Sequence, residues 1–460
     1  MLLEAFMLKP ALRDALHKLG LNISSVLLPR RDIDMQRWSV VACDQYTSEP
    51  EYWEDVDRFV GNSPSTLRLI FPEVFLETET EDQKAKRIKS INDSMTSYLN
   101  DNILYECNDA VILVERTFRS GLKRHGIIVS VDLERYDFSK GSQSLIRATE
   151  GTIIERLPPR IRIRENAPLE LPHIMLLIDD PDETVIEPLV SRSSSYSLLY
   201  SFELMKQSGY IKGWKVDRES DIEALAAALS KLADREYFRA RYELKNDTDV
   251  LLYAVGDGNH SLATAKVCWE NLKKTLPAEE LMDHPARYAL VEIVNVHDSG
   301  LVFEPIHRVV FNVDYKHLLD SFEAYYKNMG CGARIVKGTE KPDSSGHVIK
   351  YVTSEGYGHL IVDNPTYNLD VGTLQAFLDD YLKDNSQANI DYIHGEDVTD
   401  KLGKQPGNIG FFLSKMDKND LFKTVILDGA LPRKTFSMGE ASEKRFYLEA
   451  RKIRQRCTCL

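Results

Sequence analysis

The chain has 460 residues, 43% of them hydrophobic and 28% charged, with a net charge of −13. That length allows two or three domains around a large core, and the composition is that of an ordinary globular protein. The acidic balance argues against broad binding to nucleic acid or anionic membrane, while leaving room for a local basic pocket. Cys43, Cys107, Cys268, Cys331, Cys457 and Cys459 are scattered and form no Cys-x-x-Cys pair. They read as the reduced thiols of a cytoplasmic protein rather than a disulfide or zinc framework. No apolar run approaches a membrane span. Leu2, Leu3, Phe6 and Met7 are interrupted by Glu4, which makes a poor signal peptide. The tail Cys457-Thr-Cys-Leu460 outlines a prenylation box, but its middle residues are not aliphatic.

Residues 1–36 read as a short amphipathic helix and a Pro-Arg-Arg loop. Trp38 to Asp44 reads as a short buried strand with Asp44 at its carboxyl end, where functional groups collect in α/β folds. Pro50 suits the first turn of a helix containing Trp53 and Val56. Ile88, Ile91, Met95 and Leu99 share one helical face. Two strand-like runs then flank Ser120-Gly121, a hairpin.

Between 146 and 164 lie Arg147, Arg156, Arg160, Arg162 and Arg164, beside Glu150. The Ile-Arg alternation at 161–164 places Arg162 and Arg164 on one strand face. Such a basic strip suits charge-assisted contacts to a phosphorylated ligand, although a solvated face would look the same. The apolar run after Pro172 ends in Asp179-Asp180, an acidic strand end of the kind that holds Mg²⁺, so Asp179 is a metal-ligand candidate. Residues 194–207 and 221–243 are helical by pattern.

Asp249 to Lys266 is the densest stretch. An apolar run stops at Gly256-Asp257-Gly258, and Asn259, His260 and Ser261 lead into a helix from about 262. Asn259 or Ser261 can cap that helix. Unpaired amides and the positive dipole end favour an anion there, phosphate above all. Asp257 would repel phosphate, so it suits Mg²⁺ binding or proton abstraction, and His260 suits phosphoryl contact or proton shuttling.

This turn resembles the signature of the domain of unknown function 1015 family, whose members carry Asp-Gly-His-His-Arg at this place. Asn259 stands for the first His and Ser261 for the Arg. A similar turn occurs in free-serine kinases of the ParB/sulfiredoxin-like superfold, which implies nucleotide phosphate contacts and a ParB/sulfiredoxin-like element around 245–310. The absent Arg removes a bidentate phosphate contact and weakens the kinase reading. The resemblance also implies site roles for Asp44 and for Glu150 with Arg156 and Arg160.

Further on, Glu304, His307 and Arg308 resemble a second family signature, with His307 able to meet a phosphoryl oxygen. Residues 314–370 alternate helix and strand patterns. Leu374 to Leu382 is helical, and Ile390 to His394 and Ile409 to Leu413 are strands. Phe422 to Leu427 reads as another strand. His394 can complete a pocket. In Leu431 to Gly439, Arg433, Lys434, Thr435 and Ser437 can contact phosphate, and a final helix runs from Glu443 to Arg454.

The expected fold is α/β or α+β, with mixed sheets flanked by helices. A main domain over 1–312 carries the site, and a portion over 313–460 contributes the basic loop. The expected function is phosphoryl transfer on a small hydroxylated metabolite such as serine or phosphoserine. Asp44, Glu150, Asp257, His260 and His307 form the catalytic set. Arg147, Arg156, Arg160, Gly256, Gly258, Asn259, Ser261, Arg308, His394, Arg433, Lys434 and Thr435 hold substrate or phosphate. Mg²⁺ at Asp179 and Asp257, with ATP or ADP, completes the site. A non-catalytic nucleotide switch and a phosphate-ester hydrolase are the alternatives, and a homo-oligomer is compatible with either.

Overall fold

A computed structural model describes residues 9–108 and 110–454. Leu2 to Met7 and the tail from Cys457 to Leu460 lie outside the described residues. The chain divides into two compact units: Met1–Leu301 with Glu440–Leu460, and Val302–Gly439. Among the described residues no helix is long and apolar enough to cross a membrane. The mixed α/β expectation holds.

The larger unit is built on a ten-stranded mixed sheet. Its strands lie in the order Ser197–Glu203, Tyr210–Val216, Val111–Thr117, Lys123–Asp132, Tyr288–Asn295, Met175–Ile178, Tyr253–Asp257, Ile146–Ala148 and Tyr136–Asp137, with Leu21–Asn22 pairing Lys123–Asp132 off this path. The central strands read as continuous apolar runs because they are covered on both faces; every residue of Tyr288–Asn295 is buried. The expected hairpin closes at Thr117↔Lys123. The helix Glu81–Asn100 starts with a capping box between Thr80 and Gln83. Its Ile91 and Met95 join a core with Trp38, Trp53 and Val56.

The chain re-enters this unit at Glu440 through a single 3-10 turn, Ala441–Glu443, and from Lys444 runs as an extended strap, not as the expected helix. Val41 bridges Phe446 and Leu27 bridges Ala450. Ala42 N donates to Arg445 O at 2.9 Å, and Tyr447 N donates to Val40 O at 2.8 Å. Phe446, Leu448 and Ala450 alternate at period two, a strand pattern that outweighs the helix-forming residues around it. The expected strand at Trp38–Asp44 is correspondingly a short helix, Met35–Trp38, followed by this bridge-forming segment.

Three other elements differ from expectation. Arg162 and Arg164 lie on a helix, Leu157–Arg164, whose prolines occupy its first turn. Four alternating residues are too few to outweigh a proline-led helix start. Ser197–Glu203, expected helical, is an edge strand rich in Leu, Tyr and Phe. Phe422 to Leu427, expected as a strand, falls within the helix Lys418–Asp428; the Asp417 carboxylate caps it, and Leu421, Phe422, Thr424 and Val425 are buried at helical spacing.

The smaller unit has a seven-stranded antiparallel sheet in the order Gly332–Lys337, Gly356–Asp363, His347–Thr353, Ile409–Phe412, Phe303–Phe311 and Asn389–His394. Phe436–Met438 pairs the start of Phe303–Phe311. The helices Tyr315–Asn328 and Asp370–Asp384 bury Leu318, Phe322, Tyr326, Leu374 and Phe377 in its core.

Candidate functional site

The strand Tyr253–Asp257 pairs antiparallel with Met175–Ile178, with Asp257 opposite Met175, and parallel with Ile146–Ala148. Gly256 lets it pass close to Leu177, where a Cβ would meet Leu177 Cγ at 2.8 Å. Gly258 then turns the chain at φ +78, and a Cβ there would sit 3.0 Å from Ile174 Cα. Gly258→Ala should therefore destabilise the larger unit by about 1–2 kcal/mol through left-handed strain alone, read as a lowered urea midpoint. The helix Asn259–Leu272 begins at once, and no side chain caps it. Neither Asn259 nor Ser261 supplies the expected cap. The first-turn amides thus lack a side-chain partner at the positive end of the dipole.

Asp257 is held from two sides. Gly258 N donates to its Oδ1 at 2.9 Å, and Lys444 Nζ lies 3.1 Å from its Oδ2. Burial raises the carboxyl, but Lys444, with smaller contributions from His173 and the Gly258 amide, holds it below the usual range. The Ile153 amide donates to His260 Nε2 at 3.4 Å. Burial first, then the charges of Arg160 and Arg156, push that imidazole down to about 4, against the opposing charge of Asp44. Near neutrality this imidazole is therefore uncharged, with its Nε2 turned to the Ile153 amide. Arg160 Nε bonds Glu73 at 2.9 Å, and its Nη1 bonds Arg156 O at 2.6 Å. Arg156 itself is exposed and makes no ion pair among the described residues. Thr149 Oγ1 donates to Val255 O at 2.6 Å and faces Asn259 Nδ2 at 3.5 Å. Asn259 Oδ1 and Thr152 Oγ1 are buried with no hydrogen-bond partner among the described residues.

Asp44, Arg156, Arg160, Asp257, Asn259 and His260 therefore belong to one electrostatic neighbourhood in the larger unit. Four further members carry no motif in sequence: Lys444, Tyr447, His173 and Glu73. Tyr447 OH contacts His173 Nδ1 at 2.9 Å and Cys43 Sγ at 3.1 Å. Glu73 N bonds Cys43 O at 2.8 Å.

Other expected residues are occupied elsewhere. Arg147 is buried, bonding Ser144 O at 2.8 Å and Asp249 O at 2.6 Å, and burial pushes it down to about 10. Its Nε and Nη2 brace the loop before the strand. Glu150 is half-buried directly after Ile146–Ala148. Asp179 receives Arg241 Nε at 2.8 Å, His297 Nε2 at 2.6 Å and the Tyr242 hydroxyl. A cation there would have to displace three protein partners. Among the described residues no group of three or more His, Cys, Asp or Glu side chains can hold a metal ion. With Asp257 also paired to Lys444, this donor set does not fit a protein-held Mg²⁺.

In the smaller unit, His307 is buried, and its Nδ1 accepts from Leu413 N at 3.1 Å. Burial lowers its pKa, which suits that acceptor role. Arg308 is fully buried, bonding Gln375 Oε1 at 3.2 Å and Arg433 O at 2.8 Å over the Tyr392 ring. His394 is exposed opposite Ile306. Arg433 pairs with Asp379, Lys434 has φ 55, and Thr435 Oγ1 donates to Pro432 O at 2.6 Å. His307 and Arg308 thus act as internal braces of that sheet.

Several solved structures resemble the chain at low identity. A free serine kinase variant in complex with AMP matches at 10% identity and a TM-score of 0.37, covering 71% of this chain and 92% of its own. The same kinase in complex with ADP gives the same values. A conserved hypothetical protein from Pyrococcus furiosus matches at 10% identity and a TM-score of 0.33, covering 70% and 90%. At so low a TM-score the likeness assigns no residue and no ligand. No match is found among curated proteins. The family described as "Protein of unknown function (DUF1015)" matches residues 27–381, and the chain belongs to that family.

Proposed function

We propose that the larger unit binds a nucleotide such as ATP or ADP, or a phosphorylated metabolite such as phosphoserine, and transfers phosphoryl to or from a small hydroxylated acceptor. The observation that carries this reading is the gathering of cations at an uncapped helix start. Lys444 pairs with Asp257 immediately before the helix Asn259–Leu272, and Arg156 and Arg160 act on His260 within its first turn. Helix amides, an ammonium and guanidinium groups together form a receptor for a multiply charged ester. The unpartnered Asn259 Oδ1 and Thr152 Oγ1 add polar groups for a ligand to satisfy. A preorganised set of donors also stabilises charge that grows on phosphoryl oxygens in the transition state.

Isothermal titration with ATP, ADP, AMP and phosphoserine, each with and without Mg²⁺, tests the binding. No heat from any of them would overturn the reading. Arg156→Gln should weaken binding about tenfold, the effect of removing one charge-assisted hydrogen bond at an exposed position, with an unchanged thermal midpoint. Phosphorus NMR of the products separates transferred phosphate from free phosphate.

A further inference from the structure

Phosphoryl transfer to a hydroxyl needs a group to take the hydroxyl proton, and the two obvious residues do not serve. The Asp257 carboxylate is committed to Lys444, and the His260 Nε2 accepts the Ile153 amide. His173, half-buried at the entrance to the strand Met175–Ile178, is the third titratable group beside this turn. Asp257 pairs with Met175, and Ile174 lies against Gly258, so the register brings His173 to the turn.

Its outer partner is the strap. Tyr447 OH lies 2.9 Å from His173 Nδ1 and 3.1 Å from Cys43 Sγ, and accepts from Cys43 N at 3.3 Å. The two rings meet edge to face at 5.4 Å. Burial pushes both the phenol and the Cys43 thiol up, so both stay protonated. A phenol has one proton and two lone pairs. If the proton goes to Cys43 Sγ, the lone pairs accept Cys43 N–H and His173 Nδ1–H, and every polar neighbour of the hydroxyl is satisfied. The imidazole then has Nδ1–H and a bare Nε2. It can gain a proton at Nε2 without any change at Tyr447, so protonation leaves no buried donor unpaired. The charged and titratable groups around it are Asp257, Lys444, Tyr447 and Cys43, with Asp44, Glu73 and Arg160 acting through Cys43.

We propose that His173 is the general base of the site and that Tyr447, backed by Cys43, is the positioning residue that fixes its Nδ1–H tautomer. In the step, Nε2 takes the proton of the acceptor hydroxyl as that oxygen bonds to phosphorus. The leaving phosphate oxygen keeps the electrons of the broken P–O bond. The inference rests on the phosphoryl-transfer reading for the step itself, but the tautomer belongs to the ligand-free protein.

Nitrogen-15 NMR of the histidines in the free full-length chain tests it. The expected spectrum shows His173 protonated at Nδ1, with that preference lost in Tyr447→Phe. An Nε2–H tautomer, or one unmoved by Tyr447→Phe, overturns the proposal. In phosphoryl transfer from ATP to serine followed by phosphorus NMR, His173→Asn should lower turnover about 100-fold or more, as for loss of a general base. Tyr447→Phe should lower it about tenfold and change the pH profile, as for loss of an orienting partner. ATP should still release heat on binding to both variants. Undiminished turnover in His173→Asn overturns the role. A wild-type chain without turnover, yet with the Nδ1–H tautomer, removes the base assignment through failure of the phosphoryl-transfer reading and leaves the positioning by Tyr447 standing.

Discussion

Arg445→Met should destabilise the larger unit by about 3–5 kcal/mol, the cost of breaking a buried ion pair by removing one partner. The Arg445 side chain is 4% exposed, and those of its partners Glu292 and Glu449 are each 1% exposed. Its Nη2 bonds Glu449 at 2.6 Å, its Nε bonds Pro172 O at 3.0 Å, and its Nη1 pairs with Glu292. Methionine fills much of the same volume, so the loss would come from two buried carboxylates losing the cation they share rather than from a cavity. Glu292 would keep Arg124, 3.7 Å away, and Glu449 would keep the Tyr200 hydroxyl. A urea midpoint lower than that of the wild type would show the effect. The same cluster sets an acid limit. Burial raises Glu292, but Arg124 and Arg445 outweigh it and hold its pKa below the unfolded value. A lowered folded-state pKa adds stability above the unfolded carboxylate pKa of about 4 and loses it as pH falls through the folded value. Arg445→Met should therefore be most costly near neutrality, with the gap to wild type narrowing in acid. A midpoint unchanged at pH 7 would mean that the cluster contributes nothing net.

Such contrasts show what kind of information the sequence carries. The strand Tyr253–Asp257, the turn at Gly258 and the helix Asn259–Leu272 were legible because each signal is local: an apolar run, a glycine needing positive φ, and helix formers. The hairpin at Ser120-Gly121 and the helix Glu81–Asn100 were legible for the same reason. Arg147 and Arg308 looked like ligand-binding arginines because their residue type suits phosphate. Their burial against backbone carbonyls is tertiary and leaves no mark at neighbouring positions. Asp179 reads as a metal ligand until Arg241, Tyr242 and His297 arrive from elsewhere in the chain. Lys444 and Tyr447 were missed altogether. They sit in a segment with helix-forming residues whose extended form is imposed by pairing with Val40 and Ala42, some 400 residues away. The period-two spacing of Phe446, Leu448 and Ala450 was the one available signal.

Because the strap carries Lys444, Lys444→Gln should weaken binding of ATP or phosphoserine by about 10- to 100-fold, the range for removing a charge-assisted hydrogen bond from a shielded site. Two effects combine. The ligand loses a cation beside the helix start, and Asp257 loses the charge that offsets its burial. With Lys444 gone, the Asp257 pKa should rise, because desolvation would be opposed mainly by the smaller contributions of His173 and the Gly258 amide. In the wild type the lowered pKa adds stability above the ordinary aspartate value and loses it as acid protonates the group; in the variant that contribution shrinks or reverses. Lys444→Gln should therefore also lower the thermal midpoint at pH 7, and moderate acid should recover part of the loss. The double variant Lys444→Gln with Asp257→Asn separates the two effects. It removes the unpaired carboxylate, so stability should return towards wild type while ligand affinity stays low, a non-additivity expected of groups that touch. Calorimetric titration and thermal melts on the wild type, the single variants Lys444→Gln and Asp257→Asn, and the double variant provide the test. Full recovery of affinity in the double variant would show that Lys444 only neutralises Asp257 and never meets the ligand.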